Sequence, residues 1–325
     1  MKSHPLVSII TPSYNQVAYL EQTIHSVLAQ NYPNIQYLIS DGGSTDGSVD
    51  IIRKYADHIS WWVSEPDLGQ ADAINKGVAH SDGEIIAWLN SDDLYAPGAI
   101  TCAVRALQDH PQAGLVYGCA VSINSKGRPL NDLAFGRWEV DDLAVFNVLT
   151  QPAVFIRREA WERAGGLDPS YHMLLDHHLW LRIAARFPIV GIPEVWAFAR
   201  HHPTAKNVAQ AEKFGQEAFR ILAWMETNPV LSKVFARNPR RIRAATLRFS
   251  ARYLLDGGKA WPAFISYLQS LITYPLAALK EWHRILFAGL SVIGLGKLGE
   301  LYYRAKHRRL PPSMAGVENV SELFH

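Results

Sequence analysis

The residues of this chain best suited to chemistry lie in short polar runs that follow apolar ones. In "AWLNSDDLYAP", residues 87–97, an apolar run ends in two adjacent carboxylates, Asp92 and Asp93. Such a pair offers hard oxygen ligands to Mg²⁺ or Mn²⁺, which keep one or two protein carboxylates and complete their shell from substrate phosphates and water. The competing reading has one Asp capping the helix that starts near Pro97 and Gly98 while the other is solvated. Two more runs, "TPSYN" (residues 11–15) and "SDGGSTDGS" (residues 40–48), share the pattern. Gly42, Gly43 and Gly47 relax the backbone for ligand approach, and Asp41 offers an acceptor to a base N–H or a ribose hydroxyl. Asp46 reads instead as a helix cap. A calcium loop centred on Gly47 is excluded, because its first and last ligands would be Gly42 and Arg53. In "LLDHHLWLR", residues 174–182, Asp176 stands beside Leu174, Leu175 and Trp180. Partial desolvation there suits a general base, and the alternative is an N-cap for the helix carrying Leu179 and Ile183.

The elements that must position these groups follow from periodicity. Residues 6–11, 35–40, 60–64, 84–90 and 115–121 read as strands. Helical spacing runs through residues 21–30 (Ile24, Val27, Leu28), 48–55 (Val49, Ile52, Tyr55) and 99–108. Alternating strands and helices predict an α/β fold with a mostly parallel central sheet, in which ligands bind outside the carboxyl ends of the strands. The three polar runs follow the first, second and fourth strands, so they should converge on one sheet edge.

The chain has 325 residues, 48% hydrophobic and 19% charged, enough to bury a sizeable core. A formal charge of +2 argues against nucleic acid as a partner. Cys102 and Cys119 sit in apolar surroundings and read as reduced core thiols, which points to a cytoplasmic setting. The histidines His172, His177, His178, His201 and His202 crowd one region, but their spacing matches no helix-borne zinc set.

Three stretches carry a family likeness: "VSIITPSYNQVAYLEQTIHSVLAQNYPNIQYLISDGGSTDGS", "SEPDLGQADAINKGVAHSDGEIIAWLNSDDLYAPGAI" and "QPAVFIRREAWERAGGLDPSYHMLLDHHLWLR". Over residues 5–205 the chain resembles the family 2 glycosyltransferases of the GT-A fold, which transfer sugars from nucleotide diphosphate donors. The resemblance places Pro12 and Tyr14 around the nucleobase, with Asn15 and Gly42 in the same donor site and Asp41 accepting from the base's ring nitrogen. It sets Asp92 at the ribose and Asp93 on a metal at the diphosphate. Asp72, Asn75 and Lys76 of "DAINKG" match the segment lining the donor sugar and phosphates. Many relatives carry aspartate where Asn90 stands, and an acidic residue where Leu175 stands. Asp176 matches the general base, and His202 of "RHH" matches an R-x-H pattern near the diphosphate or metal. The implied activity is metal-dependent, inverting transfer, with Mg²⁺ or Mn²⁺, from a UDP-sugar to a glycan or lipid-linked acceptor in cell-surface polysaccharide synthesis. A fold that binds nucleotide sugar without turnover is the alternative. A sugar nucleotidyltransferase fits less well, since "TPSYNQVAYL" lacks the glycines of a phosphate loop.

Domain boundaries are expected at residues 1–205 for the GT-A domain, 206–310 for a helical region and 311–325 for a disordered tail. Helices are expected over residues 210–226, 240–255, 261–274 and 275–290. Between Lys280 and Leu310 seven Lys or Arg face two Glu, interleaved with Trp282, Ile285, Leu286 and Phe287. That composition suits either peripheral docking at the inner face of a membrane or a packed hairpin with a solvated basic face. The glycines Gly294, Gly296 and Gly299 have G-x-G-x-x-G spacing, but the 26 residues after Gly299 leave no room for a dinucleotide-binding unit.

Overall fold

The computed structural model describes residues 4–202, 210–295 and 319–324. The chain divides by packing into two compact units, Met1–Glu139 with Leu149–His201 and Leu310–His325, and Val140–Val148 with His202–Arg309.

The first unit holds strands β1 (Val7–Ser13), β2 (Ile35–Asp41), β3 (Trp61–Ser64), β4 (Ile85–Trp88), β5 (Leu94–Tyr95), β6 (Leu115–Asn124), β7 (Pro129–Asp132), β8 (Val154–Arg157) and β9 (Ile189–His201). They form one sheet in the order β3-β2-β1-β4-β8-β6-β9-β5, with β7 paired to β6. From β3 to β4 every pairing is parallel. Strand β8 enters antiparallel between β4 and β6, while β6 and β9 are parallel again. All seven residues of β1 and all four of β4 are buried, as expected for strands covered on both faces. Helices α1 (Leu20–Leu28), α2 (Ser48–Lys54), α3 (Gln70–Ala79) and α4 (Ala99–Asp109) connect these strands.

Strand ends match the periodicity reading to within three residues, but the buried face of α1 is rotated from it. Leu28 is exposed, and the buried stripe is Leu20, Thr23, Ile24, Ser26 and Val27. The polar members face inward because the next segment needs their hydrogen bonds. Thr23 Oγ1 donates to the Asp93 carbonyl, the Tyr95 N–H donates to Ser26 Oγ, and Gln30 Nε2 donates to the Ala96 carbonyl. Helix α1 thereby laces down the segment that carries the acidic pair.

The second unit is helical. After α5 (Val140–Leu143) the chain returns to the first unit for α6 (Arg158–Ala164) and α7 (Leu175–Ala184). The second unit then continues through α8 (Ala211–Thr227), α9 (Leu231–Arg237), α10 (Pro239–Asp256), α11 (Ala260–Thr273), α12 (Pro275–Leu279) and α13 (Trp282–Val292). Its core joins Ala251, Leu255, Ala263, Tyr267 and Ala288. The helix expected over residues 275–290 is broken into two at Glu281, whose backbone (φ −120°, ψ 33°) leaves helical geometry before the helix restarts at Trp282; its carboxylate accepts from the buried Tyr267 hydroxyl at 2.9 Å. A helix, not a strand, leads into Gly294, and the other two glycines of the G-x-G-x-x-G spacing lie outside the described residues. No described helix is long and apolar enough to cross a membrane. Of the expected disordered tail, residues 311–318 lie outside the described residues. Val320–Phe324 forms a 3₁₀ turn whose Val320 is buried among Leu94, Ala96, Val121, Ile123 and Phe198 of the first unit. Leu323 packs on the same cluster, and the Val320 N–H and Asn319 Nδ2 donate to the carbonyls of Gly127 and Lys126, so apolar burial and hydrogen bonds together dock that segment.

Candidate active site

The loops after β1 and β2 interlock through hydrogen bonds their own residue types supply. The Gly42 N–H donates to the Ser13 carbonyl, the Asn15 N–H to Ser44 Oγ, and the Thr45 N–H to Asn15 Oδ1. Asn15 takes a left-handed backbone (φ 51°), a conformation Asn tolerates better than most residues. The Asp46 carboxylate accepts from the Val17 N–H at 2.9 Å and from the Ser48 N–H at 3.0 Å. Burial works against its charge, but the bonds from Ser48 and Val17 prevail and hold the carboxyl below the usual range. The cap itself falls on Gly47, so Asp46 is not the N-cap its position suggests but a staple between the loop after β1 and the first turn of α2. Pro12 is buried in β1, whereas Tyr14 is 63% exposed beside it, a ring free to cover a planar ligand.

Asp41 is more engaged than its expected role implies. It is buried, and Oδ2 accepts from the N–H groups of Gly43 and Ser44 and from Ser64 Oγ, while Oδ1 accepts from Ser44 Oγ. Gly42 lies close against the Asp67 carboxylate, and a Cβ there would come within 2.8 Å of Asp67 Oδ2 and require that side chain to shift. The loop after β2 is thus pressed against the segment following β3.

The acidic pair follows β4. Asp92 is half-buried and Asp93 is 6% exposed. Asp93 Oδ1 accepts the Arg200 backbone N–H at 2.8 Å, and Oδ2 accepts Asn90 Nδ2 at 3.2 Å. Burial first, and the neighbouring Asp92 charge second, push the Asp93 carboxyl well above the usual range against the pull of Arg200 and Asn90. The Arg200 guanidinium spends its N–H groups elsewhere: on the carbonyls of Asp92, Asn124 and Ser125 and on Gln22 Oε1. Its plane lies 4.8 Å from the Tyr19 ring. Arg200 shapes the floor of the pair. Asn90, where many relatives carry an acid, bridges Gln70 and Asp93, accepting from Gln70 Nε2 at 2.6 Å while donating to Asp93. Gln70, Gln22 and Tyr19 were not singled out from sequence; Gln70 directly follows Gly69 at the start of α3, a legible signal.

The "DAINKG" segment forms the body of α3. Asp72 Oδ2 accepts the Leu68 N–H at 3.1 Å, and Lys76 Nζ lies 2.7 Å from Glu65 Oε1. Asn75, expected against the donor, commits both ends of its amide to Leu167: Nδ2 donates to the carbonyl at 2.8 Å and Oδ1 accepts the N–H at 3.0 Å. Arg182, on α7, donates to the carbonyls of Ala164 and Gly166. Both residues grip the turn at residues 164–167, which links α3 to the helix bearing Asp176.

Asp176 is the second residue of α7, half-buried, and Oδ1 accepts the N–H of His177 at 2.7 Å. The helix cap falls on Leu174, so the carboxylate is not the cap. One turn further on, Trp180 is fully buried and stacks on Trp88 of β4, with centroids 5.2 Å apart and 20° between planes. His177 and His178 are buried in the same helix, and the His178 ring lies 4.2 Å from Tyr171. His202, immediately beyond β9, is buried as well.

Residues 8–155 match the glycosyl transferase family 2 model. A putative teichuronic acid biosynthesis glycosyltransferase, TuaG of Bacillus subtilis, is 45% identical over 200 residues, covering 59% of this chain and 78% of that protein. An uncharacterised glycosyltransferase of Mycobacterium tuberculosis is 32% identical over 187 residues, 57% of this chain and 71% of its own length. The chain belongs to glycosyl transferase family 2.

Solved structures agree on the fold of this glycosyltransferase. Staphylococcus aureus TarS 1–349, crystallised with UDP-GlcNAc, superposes with a TM-score of 0.62 at 14% identity, covering 94% of this chain and 93% of that one. The mannosyltransferase PcManGT of Pyrobaculum calidifontis, in complex with GDP-Man and Mn²⁺, gives 0.55 at 19% identity over 93% of this chain and 84% of that one. The α/β sheet described above is thus a GT-A sheet, followed by a helical C-terminal region.

A divalent cation is implied by that fold, and the donor set at Asp92 and Asp93 fits one. Two adjacent carboxylates, one buried and disfavoured as an anion, offer hard oxygens to a site that gains from a cation. No group of three or more His, Cys, Asp or Glu is gathered to enclose an ion among the described residues. Such a pair relies on a substrate's phosphates to complete the shell.

Proposed function

We propose that this glycosyltransferase moves a sugar, with inversion, from a UDP-sugar to a hydroxyl of a glycan or lipid-linked acceptor in cell-surface polysaccharide synthesis, assisted by Mg²⁺ or Mn²⁺. One observation carries the reading: a buried Asp93 beside Asp92 at the carboxyl end of β4, whose charge burial opposes and whose arginine neighbour serves backbone carbonyls. The teichuronic acid biosynthesis named for TuaG and the UDP-GlcNAc held by TarS support the substrate classes.

In this reading Tyr14 covers the nucleobase over Pro12, with Asn15 and Gly42 shaping the loop and Asp41 holding it rigid while its Oδ1 faces the base. Asp92 and Asp93 anchor the ribose and diphosphate end, and Asp72 and Lys76 line the sugar and phosphates. When bound, the divalent cation supplies positive charge to the leaving diphosphate. Asp176 accepts the proton of the acceptor hydroxyl, whose oxygen attacks C1 opposite the diphosphate. A single base suffices, since no second carboxylate is needed across the bond. Asn75 and Arg182 act through residues 164–167 to set where that base stands.

Donor and cation titrations test the proposal directly. UDP with Mn²⁺ at 100 times its dissociation constant should stabilise the protein by about 2.7 kcal/mol. Transfer from a UDP-sugar should fall by about 10²–10⁴-fold in Asp176→Ala while that stabilisation persists. No thermal response to any nucleotide with either cation would overturn the assignment.

A further inference from the structure

The helical unit contains a feature that sugar transfer does not use. On α10, Arg241, Ala245 and Arg248 recur at helical spacing and so share one face, with the small Ala245 leaving a gap between two guanidinium groups. That gap opens into a cavity of about 210 Å³ closed by Val145, Leu276 and Lys280. Three cations line it and no carboxylate does. Arg248 is 8% exposed; one N–H group reaches the Val145 carbonyl at 3.2 Å, while its buried Nε has no hydrogen-bond partner. An unpaired guanidinium N–H is expensive to bury, and a fork of this geometry matches a phosphate oxygen pair. Burial lowers the Arg248 pKa, with the Glu281 charge opposing the shift, as expected of a cation held short of counter-ions.

Helix α12 separates this cavity from an apolar groove. Leu276 lines the first and Leu279 the second. The groove, about 510 Å³, is walled by Phe264, Trp282, Leu286 and Ile293 among others, all without charge. Trp282 is 60% exposed and Ile293 67%, and nearby Trp261, Ile272 and Leu276 are exposed too. An uncharged groove with Trp282, Leu286 and Ile293 open to solvent is a contiguous apolar patch of the kind that marks a binding face. A cavity of cations next to an apolar groove matches one kind of molecule, with an anionic phosphate at one end and hydrocarbon at the other.

We propose that the helical unit docks on a membrane containing anionic phospholipid, seating a headgroup phosphate between Arg241, Arg248 and Lys280 while Trp282, Leu286 and Ile293 enter the acyl boundary. The inference stands independently of the transferase chemistry. It supplies an anchor of the interfacial kind, in which apolar insertion and attraction to anionic lipid act together.

Co-sedimentation of the full chain with vesicles tests it. Vesicles of phosphatidylcholine with phosphatidylglycerol should capture the protein, and vesicles of phosphatidylcholine alone should do so far less. The double variant R241Q/K280Q changes the two more accessible cations and leaves buried Arg248 in place. It should bind the anionic vesicles about 25-fold more weakly, about fivefold for each charge removed. The apolar variant W282S/L286S should weaken capture while keeping the circular dichroism of the wild type. Free inorganic phosphate forms the third arm. If phosphate raises the melting temperature through Arg241 and Lys280 but anionic vesicles capture nothing, the cavity serves a soluble anion and the docking proposal is overturned. Equal capture of wild type and R241Q/K280Q would overturn it too.

Discussion

Asn75 and Leu167, 92 residues apart in sequence, exchange two hydrogen bonds, as neighbouring strands do. The Asn75 side chain replaces a backbone partner, and Arg182 fixes the same turn through Ala164 and Gly166. Asn75→Ala should lose about 1–3 kcal/mol of stability, from two neutral hydrogen bonds. Asn75→Asp should lose more, because it sets a carboxylate against the Leu167 carbonyl. Both variants should lower kcat more than they weaken nucleotide binding, since the turn positions α7 rather than the donor. Denaturant titration and steady-state kinetics read the two effects separately.

The raised pKa of Asp93 makes stability depend on pH with a definite sign. In the cation-free fold the buried carboxyl holds its proton at pH values where the unfolded chain has released it. The folded state then binds more protons, so stability is fullest below the ordinary carboxylate pKa and falls as pH rises through the window up to the raised value. Asp93→Asn should abolish that slope and match or exceed the wild type at neutral pH without cation. It should also lose stabilisation by Mn²⁺ with UDP. Urea midpoints across a pH series decide it, and an unchanged slope in the variant would refute the account.

Arg200 is a fork that lysine cannot imitate. It serves the Asp92, Asn124 and Ser125 carbonyls and Gln22 at once, while its backbone N–H holds Asp93. Arg200→Lys keeps the charge but offers one ammonium in place of a planar array. Hydrogen bonds from charged groups contribute about 1.5–3 kcal/mol each, so a loss of at least about 2 kcal/mol is expected, with weaker Mn²⁺-dependent nucleotide binding. Thermal unfolding and calorimetric titration provide the readings.

How much of this was legible in the sequence depends on the range of the interaction concerned. Strands β1, β2, β4 and β6 declare themselves because buried strands are continuous apolar runs, and the polar runs after β1, β2 and β4 are what the sequence offers as a ligand edge. Strands β5, β7 and β8 are only two to four residues long, and β5 pairs with a partner about a hundred residues later. No local window holds that information. The same limit explains α1, where apolar spacing sets Leu28 with Ile24 and Val27, but Thr23, Ser26 and Gln30 are turned inward instead by the carbonyls and N–H groups of residues 93–96. Among the proposed site residues, position and type alone leave Asp93 between a cation ligand and a helix cap and Asp176 between a base and an N-cap; the family resemblance is what favours the first reading of each. The commitment of Asn75 to Leu167, and the bridge of Gln70 through Asn90 to Asp93, exist only once distant segments meet.

Asp176 and Trp180 lie one turn apart on α7, and the Trp180 ring is clamped against Trp88, whose own edge meets Trp161 at 6.2 Å. The proposed base is therefore held by an aromatic contact with β4, the strand that leads to Asp92 and Asp93. Removing the carboxylate and loosening its support should have different signatures. Asp176→Ala and Asp176→Asn should each cut turnover by about 10²–10⁴-fold, the usual range for a positioned base, with stability and nucleotide affinity near wild type. Trp180→Ala should instead cost about 3–5 kcal/mol of stability through the cavity it leaves, and Trp180→Phe much less. If Trp180→Phe folds and retains most turnover while Asp176→Asn does not, chemistry is assigned to the carboxylate and orientation to the ring. Turnover that survives in Asp176→Asn would remove Asp176 from the mechanism.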